Sequence, residues 1–296
     1  MDLHTLRNFL AVAQEGGISA AADVLRISQP ALSRQMRDLE KELDTTLFIR
    51  GNRSRMTELT AEGMVFQRRA REIVELADRA YAEMHQGDTI EGTVHIAAAQ
   101  TVAMRTVGRA AGRVRTRHPG ITFDLYDGYG PDNTERLANG LADFAILVQP
   151  VDMSRFDYLP LPEHDVAGVL MPEDDPLTRY DAISADMLRN LPLFIAKGSA
   201  QRHDFAGWLP ADAQSAPNIV GTMNLAYNVS CFVKEGCGYA LGLAGLVDAS
   251  EGSGLAFRPL EPPSYTNLCI AWRSGRTLTA ASQAFLDELR NVIAQE

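Results

Sequence analysis

Pro30, Ser33, Arg34, Arg37 and Lys41 recur at the helical period within the stretch SQPALSRQMRDLEKEL, residues 28–43. That spacing lines hydroxyl, guanidinium and ammonium groups along one side of a single helix, a side that calls for a polar, anionic counterpart. Leu32, Met36, Leu39 and Leu43 gather on the other side and call for a core. Ser28 or Gln29 is placed to cap the helix, and Pro30 falls in its first turn, where no backbone N–H loses a partner.

The elements that must position this helix surround it. Leu3, Leu6, Leu10 and Ala13 recur on one face of a preceding helix that Gly16-Gly17 stops. Ser19 is placed to cap a compact helix, AAADVL, whose small residues at 20–22 let two helices cross closely, and Arg26-Ile27-Ser28 makes a tight turn. After the basic helix, Leu47-Phe48-Ile49 and the glycine-bearing RGNRSRMTELT read as a hairpin or wing. Together these are the parts of a helix-turn-helix with a basic loop beside it.

With 296 residues and 46% hydrophobic content, the chain has length for two or more domains and a substantial core. Its net charge of −10 is unevenly spread. Between residues 26 and 55 seven basic residues stand against four acidic ones, whereas from residue 89 onward 16 basic stand against 24 acidic. A basic patch on an acidic body suits a protein that meets a polyanion at one end. Three cysteines, Cys231, Cys237 and Cys269, fit a reducing compartment and match no zinc spacing. There is no apolar run of about eighteen residues to span a bilayer. Asp2 and Arg7 make the N-terminal pattern unlike a signal peptide, which predicts a cytoplasmic protein without a membrane partner.

From Thr60 to Asp88 a proline-free helical pattern carries Gly63, Phe66, Ala70, Ile73, Ala77, Ala80 and Met84 at heptad spacing, with charged residues outside it. That seam predicts a dimer-forming helix. Beyond it strands and helices alternate: GTVHIAAA, a helix over 101–117, ITFDLY, DNTERLANGLA and DFAILVQ form a βαβαβ run, hence a mainly parallel sheet. A second set follows, with strands near VAGVLM, LFIA, IVGTM and YALGL and helices near SADMLRN, FAGWL and NLAYNVSCFVKE. LCIAW and a helix over 279–295 close the chain. Two α/β lobes joined near Tyr158–Pro160 and Pro262–Thr266 account for this order.

The string LRNFLAVAQEGGISAAADVLRISQPALSRQMRDLEKELDTTLFIR resembles the N-terminal module of LysR-type transcriptional regulators, and the resemblance extends more loosely over the full chain. It implies a winged helix-turn-helix (residues 1–59), a long linker or dimerisation helix (60–88) and a two-lobed α/β effector-binding domain of periplasmic-binding-protein type (89–296). Lobe I is expected over 89–160 and 267–296, and lobe II over 161–266. It further implies a ligand-responsive transcription factor with double-stranded DNA as partner, a homodimer or dimer of dimers, and contact with RNA polymerase. Gln29, Pro30, Ser33, Arg34 and Arg37 match recognition-helix positions facing DNA, and Arg50 and Arg53 match wing positions. The loop from Arg50 to Thr60 is slightly longer than the family wing, leaving Arg53 and Arg55 as alternatives for the minor groove. Arg34 or Arg37 suits a guanine and Gln29 an adenine or the backbone, while Ser28, Ser33, Lys41 and the wing arginines suit phosphates.

In open α/β sheets, ligands gather where strand carboxyl ends meet helix starts. Gln100, Thr101, Gln149, Ser199, Gln201, Arg202, His203, Asn224 and Tyr227 hold such places and are the candidate effector-binding residues, although Thr101 and Asn224 have a competing role as helix caps. Lys197, Arg202 and His203, with Tyr227 and Tyr265, suit a small carboxylate, aromatic in character. Arg105, Arg109 and Arg113 read as an exposed or subunit-contacting face. No cofactor, metal or catalytic group is called for: the six histidines form no metal-spaced pair, and no nucleophile elbow or phosphate loop occurs. The alternatives are a redox-responsive regulator through Cys231 and Cys237, an enzyme, or a solute-binding protein. The two cysteines point apart across a helix end, and a transport protein would lack the N-terminal module.

Overall fold

The computed structural model describes residues 1–49, 58–84, 90–197 and 218–295, which divide into two compact units, Met1–Gln86 and Gly87–Glu296. The first unit comprises α1 (Leu3–Glu15), α2 (Ile18–Leu25), α3 (Gln29–Glu42), β1 (Phe48–Ile49), β2 (Glu58–Leu59) and α4 (Ala61–Met84). Asp2 caps α1, its carboxylate accepting the Thr5 N–H at 2.7 Å, and Gly16 ends the helix at φ 64°. Ser19 does not cap α2, which starts two residues earlier than that cap implies, with Gly17 as its N-cap. Arg26 turns the chain toward α3 in the left-handed region at φ 56°. Antiparallel β1 and β2 pair Phe48 with Leu59 and form the base of the expected wing, whose loop lies outside the described residues.

Phe9 is the centre of this unit. Its ring, fully buried, meets Phe48 and Phe66 at centroid distances of 5.3 and 4.9 Å and so ties α1 to β1 and α4. Leu6 and Val12 join it, while Leu3 stays exposed and Leu10 is half-buried. The larger Phe9 side chain claims the core and rotates the buried stripe of α1 away from the expected Leu3–Ala13 line. Leu32, Met36 and Leu39 of α3 fill the same cluster, and Ala21 and Ala22 keep α2 close.

The N-terminal half of the α4 seam also belongs to this core. A Cβ on Gly63 would stand 2.1 Å from the Leu47 carbonyl oxygen, and Phe66 and Ala70 pack on the helix-turn-helix rather than lying free for a partner subunit. Heptad spacing alone does not distinguish a face buried against its own domain from one buried against another chain. Ala77 is half-buried, and the apolar residues left exposed on α4 include Val65, Ile73, Leu76 and Ala80. The Met84 side chain lies outside the described residues.

In the second unit β3 (Gly92–Ala98), α5 (Met104–Arg117), β4 (Ile121–Asp127), α6 (Gly130–Ala138) and β5 (Phe144–Val148) form the expected βαβαβ run, with β3 between parallel β4 and β5. β6 (Phe156–Pro172), β7 (Ile183–Ser184), β8 (Leu193–Ala196), β9 (Ile219–Met223), α7 (Ala226–Lys234), β10 (Tyr239–Leu243), β11 (Leu255–Glu261), β12 (Tyr265–Arg273) and α8 (Ala280–Ile293) follow. Among the described residues the strand order is β4-β3-β5-β12-β6-β10-β8-β9, with β11 beside β6 and β7. The sheet is mixed rather than mainly parallel, because β5, β12, β6 and β10 run antiparallel to their neighbours in that order.

Three expectations differ from what is observed. The expected joint at Tyr158–Pro160 lies inside β6, which runs unbroken through it and exchanges β12 for β10 as its partner only at Val166–Ala167; the pairing with β12 shifts register between Asn267 and Cys269, opposite the prolines. SADMLRN forms a single 3-10 turn, Ala185–Leu188, rather than a helix. β11 pairs with β6 from Leu255 to Pro259, a strand that the weak alternation of LAFRPLE does not announce. The helix expected at FAGWL lies outside the described residues. Around β6 the domain has two lobes, one cored by Phe144, Phe285 and Ile270 and the other by Val169, Leu193 and Leu241.

Phe9→Ala should lower the unfolding free energy of the first unit by about 3–5 kcal/mol, the cost of emptying a buried aromatic site. Chemical denaturation followed by helix signal measures it, and a loss below about 1 kcal/mol would show that the three-ring cluster is not the core's centre.

Candidate nucleic-acid interface and effector cleft

Burial of Leu32, Met36 and Leu39 turns the opposite side of α3 outward. Ser28, Gln29, Pro30, Arg34, Arg37 and Lys41 are exposed and Ser33 is half-buried, so the cationic stripe forms one continuous face. Ser28 holds the N-cap position by its backbone but makes no side-chain capping bond, which leaves its hydroxyl outward. Arg37 Nε donates to the Ser33 carbonyl oxygen at 3.2 Å, and no acidic side chain pairs with Arg34, Arg37 or Lys41 among the described residues. The helix is fixed in rotation from behind. Asn8, 1% exposed, donates to Gln35 Oε1 at 2.7 Å, and Gln35 Nε2 donates to Thr5 Oγ1 at 3.1 Å. Glu40 receives the Leu47 and Phe48 N–H groups at 2.8 and 3.2 Å, which ties the end of α3 to the wing strand. Sequence reading did not single out Asn8, Gln35 or Glu40. Arg50, Arg53 and Arg55 lie outside the described residues.

In the second unit four candidates come together around the turn after β3 and the start of α7. Gln100 Oε1 accepts the Ala226 N–H at 2.7 Å, which brings it beside Asn224 and Tyr227, both exposed. Thr101 is 6% exposed and its Oγ1 donates to Asp165 Oδ1 at 2.8 Å while accepting the Ala103 N–H at 3.2 Å. Its hydroxyl is largely spent within the fold, but neither expected cap forms: Ala103 holds the N-cap of α5 and Leu225 that of α7, each without a side-chain capping bond. Gln149 is close by through β12: its N–H donates to the Asn267 carbonyl oxygen at 2.9 Å, and Thr266 pairs with Asp165. Tyr265 stacks edge-on against His164 at 5.2 Å, and Lys197 is exposed at the end of β8. Ser199, Gln201, Arg202 and His203 lie outside the described residues.

Asp165 is the residue that sequence reading missed. At 1% exposure it also accepts the Val102 N–H at 3.2 Å. Burial pushes its carboxyl above the ordinary 3.8, against the bonds from Thr101 and Val102 and the nearby His164 that favour the charged form. Nothing local marks it, since its side-chain partner Thr101 is 64 residues away.

Arg105, Arg109 and Arg113 of α5 are exposed, as expected. Arg109 pairs with Glu163 at 3.7 Å, and Arg113 and Arg117 both reach the buried Glu288 of α8. Cys231 and Cys237 are exposed at and beyond the end of α7, and Cys269 is buried, its thiol pushed up by desolvation. Among the described residues no helix is long and apolar enough to cross a membrane, and no cluster of three metal-ligating side chains occurs.

A helix-turn-helix with a cationic outer helix, followed by a two-lobed α/β domain, defines a DNA-binding regulator with a ligand-sensing half. Residues 3–64 match the model of the bacterial regulatory helix-turn-helix protein, lysR family, and residues 87–294 match the LysR substrate binding domain, so the chain belongs to the LysR family of transcriptional regulators. It is 29% identical over 287 residues to the Hca operon transcriptional activator HcaR of Escherichia coli (strain K12), covering 93% of each chain. It is also 28% identical to the transcriptional activator IlvY of Salmonella typhimurium over 244 residues, 81% of this chain and 82% of that one. The LysR family regulator CbnR has the same fold, with a TM-score of 0.71 at 22% identity over 99% of each chain. Full-length CbnR complexed with its target DNA aligns with a TM-score of 0.68 at 21% identity, covering 99% of this chain and 100% of that one.

Because the native state binds the Asp165 proton more tightly than the unfolded chain does, ionising this carboxyl costs stability as pH rises from about 3.8 through its raised native value. Asp165→Asn, which keeps an acceptor but cannot ionise, should therefore gain stability relative to the parent across that window and hold the gain at neutral pH. Urea midpoints of both proteins at steps between about pH 4 and pH 7 measure the difference. A difference that is constant with pH would contradict the raised carboxyl.

Proposed function

We propose that the chain binds double-stranded DNA as a homodimer or a dimer of dimers and that a small carboxylate held between its lobes switches that binding. The observation that carries the first part is the outward side of α3, where Arg34, Arg37 and Lys41 have no acidic partner among the described residues while Leu32, Met36 and Leu39 anchor the helix. In this reading Arg34 and Arg37 take guanine acceptors in the major groove, Gln29 contacts adenine or backbone, and Pro30 sets the helix's entry. Ser28, Ser33, Lys41 and the wing residues Arg50, Arg53 and Arg55 hold phosphates. The fold shared with DNA-bound CbnR supports the docking, and the names of HcaR and IlvY support a regulator rather than an enzyme. We take residues 1–59, 60–88 and 89–296 as the modules, with subunits meeting along the part of α4 beyond the helix-turn-helix: Ile73, Leu76, Ala77, Ala80 and Met84. RNA polymerase is the further partner such a regulator meets at a promoter, in the cytoplasm.

For the sensor, Gln100, Thr101, Gln149, Asn224 and Tyr227 border the proposed cleft, with Ser199, Gln201, Arg202 and His203 contributing from the segment after β8. The cationic set of Lys197, Arg202 and His203 favours a carboxylate.

Arg34→Ala should flatten the base preference at one position of each half-site, a discrimination worth about 1–3 kcal/mol, without loss of the oligomer. Selection from a randomised duplex pool, with sedimentation as the control, measures this, and an unchanged base preference would refute the assignment. A panel of small carboxylates should contain a compound that raises the melting temperature of the full chain, since a ligand at a hundred times its Kd adds about 2.7 kcal/mol. A panel without any shift would overturn the carboxylate reading.

A further inference from the structure

We propose that Gln100 is a clasp that holds the two lobes together across their cleft, and that Asp165 is the positioning residue that presents it. Gln100 follows β3 in one lobe and Ala226 opens α7 in the other, yet Gln100 Oε1 accepts the Ala226 N–H at 2.7 Å. The first N–H groups of a helix have no partner within it. Leu225 occupies the N-cap of α7 and supplies no side-chain acceptor, so this helix start is met by a residue of the opposite lobe. Its hydrogen bond therefore exists only while the lobes are together. Opening the cleft breaks it.

The turn that carries Gln100 is itself anchored. Asp165 Oδ1 accepts hydrogen bonds from the Thr101 hydroxyl and the Val102 N–H, at 2.8 and 3.2 Å, so residues 101 and 102 have little freedom. Asp165 stands on β6 at the passage between lobes: up to Val166 this strand pairs with β12, and from Ala167 it pairs with β10. A change in the bend of β6 at that point is transmitted through the carboxylate to the turn, and from the turn to Gln100. The inference rests on the two-lobed arrangement alone and not on the carboxylate reading, because its test uses no ligand.

The experiment measures the distance between the lobes in the full chain by electron–electron double resonance. Spin labels sit on Cys237, which is exposed in one lobe, and on a Thr116→Cys substitution on the exposed side of α5 in the other, in a Cys231→Ser background. Labelled chain is diluted with unlabelled chain so that only distances within one chain are read. Gln100→Leu, which fills the same space without an acceptor, should shift the main distance peak to longer values and broaden it. Gln100→Glu should restore the parent peak, since a carboxylate still accepts and is favoured at a helix start. Asp165→Leu should open the lobes as Gln100→Leu does, whereas Asp165→Asn should match the parent. If Asp165→Leu does not fold, Thr101→Val severs the Thr101 link to Asp165 with the side-chain shape kept. A Gln100→Leu distribution identical to the parent's would overturn the clasp. Opening by Gln100→Leu with none by Asp165→Leu or Thr101→Val would overturn the positioning role.

Discussion

Everything this protein does at its N-terminal end depends on α3 being held from one side only. Leu32, Met36 and Leu39 enter the core around Phe9, and the Asn8–Gln35–Thr5 bonds fix the rotation of the helix, so the cations on the far side meet no carboxylate among the described residues. The contrast with α5 shows why this matters. That helix is also rich in arginine, but Arg109, Arg113 and Arg117 are taken up by Glu163 and Glu288. One arginine row is partly paired within its own domain, and the other has no carboxylate partner among the described residues. In a chain of net charge −10, the acidic remainder would keep the rest of the molecule off the polyanion proposed to meet α3.

The sensing half depends on a strand used twice. β6 belongs to both lobes, and its passage between them carries a buried carboxylate bonded to the turn after β3. Placing a charge there is costly, and the bonds from Thr101 and Val102 with the nearby His164 offset only part of that cost. The proposed ligand residues are therefore not independent groups on a surface: Thr101 is bound to the strand and Gln100 to the opposite helix.

How much of this was legible in the sequence follows the range of the interactions. α3 was legible because its proline, its apolar period and its cationic period are local, and the βαβαβ run because its alternation is local. β6 was not, since the stretch at Tyr158–Pro160 reads as a joint between lobes and only its pairing with β12 shows one strand running through it. The α4 seam was ambiguous for another reason: Phe66 and Ala70 have the period of an intersubunit stripe but pack on Phe9 and its neighbours. Asp165 and the Gln100–Ala226 bond were invisible, because each links residues whose sequence separation leaves no pattern.

If α3 is the DNA-facing helix, its cations replace counterions on DNA. This is tested most directly by the salt dependence of duplex affinity for the parent and for a variant with Arg34, Arg37 and Lys41 all changed to Ala. Each phosphate contact contributes about 0.9 to the slope of log affinity against log salt, and an oligomer presents each side chain at least twice. The variant's slope should be shallower by more than one such contact. A variant with the parent's slope would mean that DNA meets this protein somewhere else.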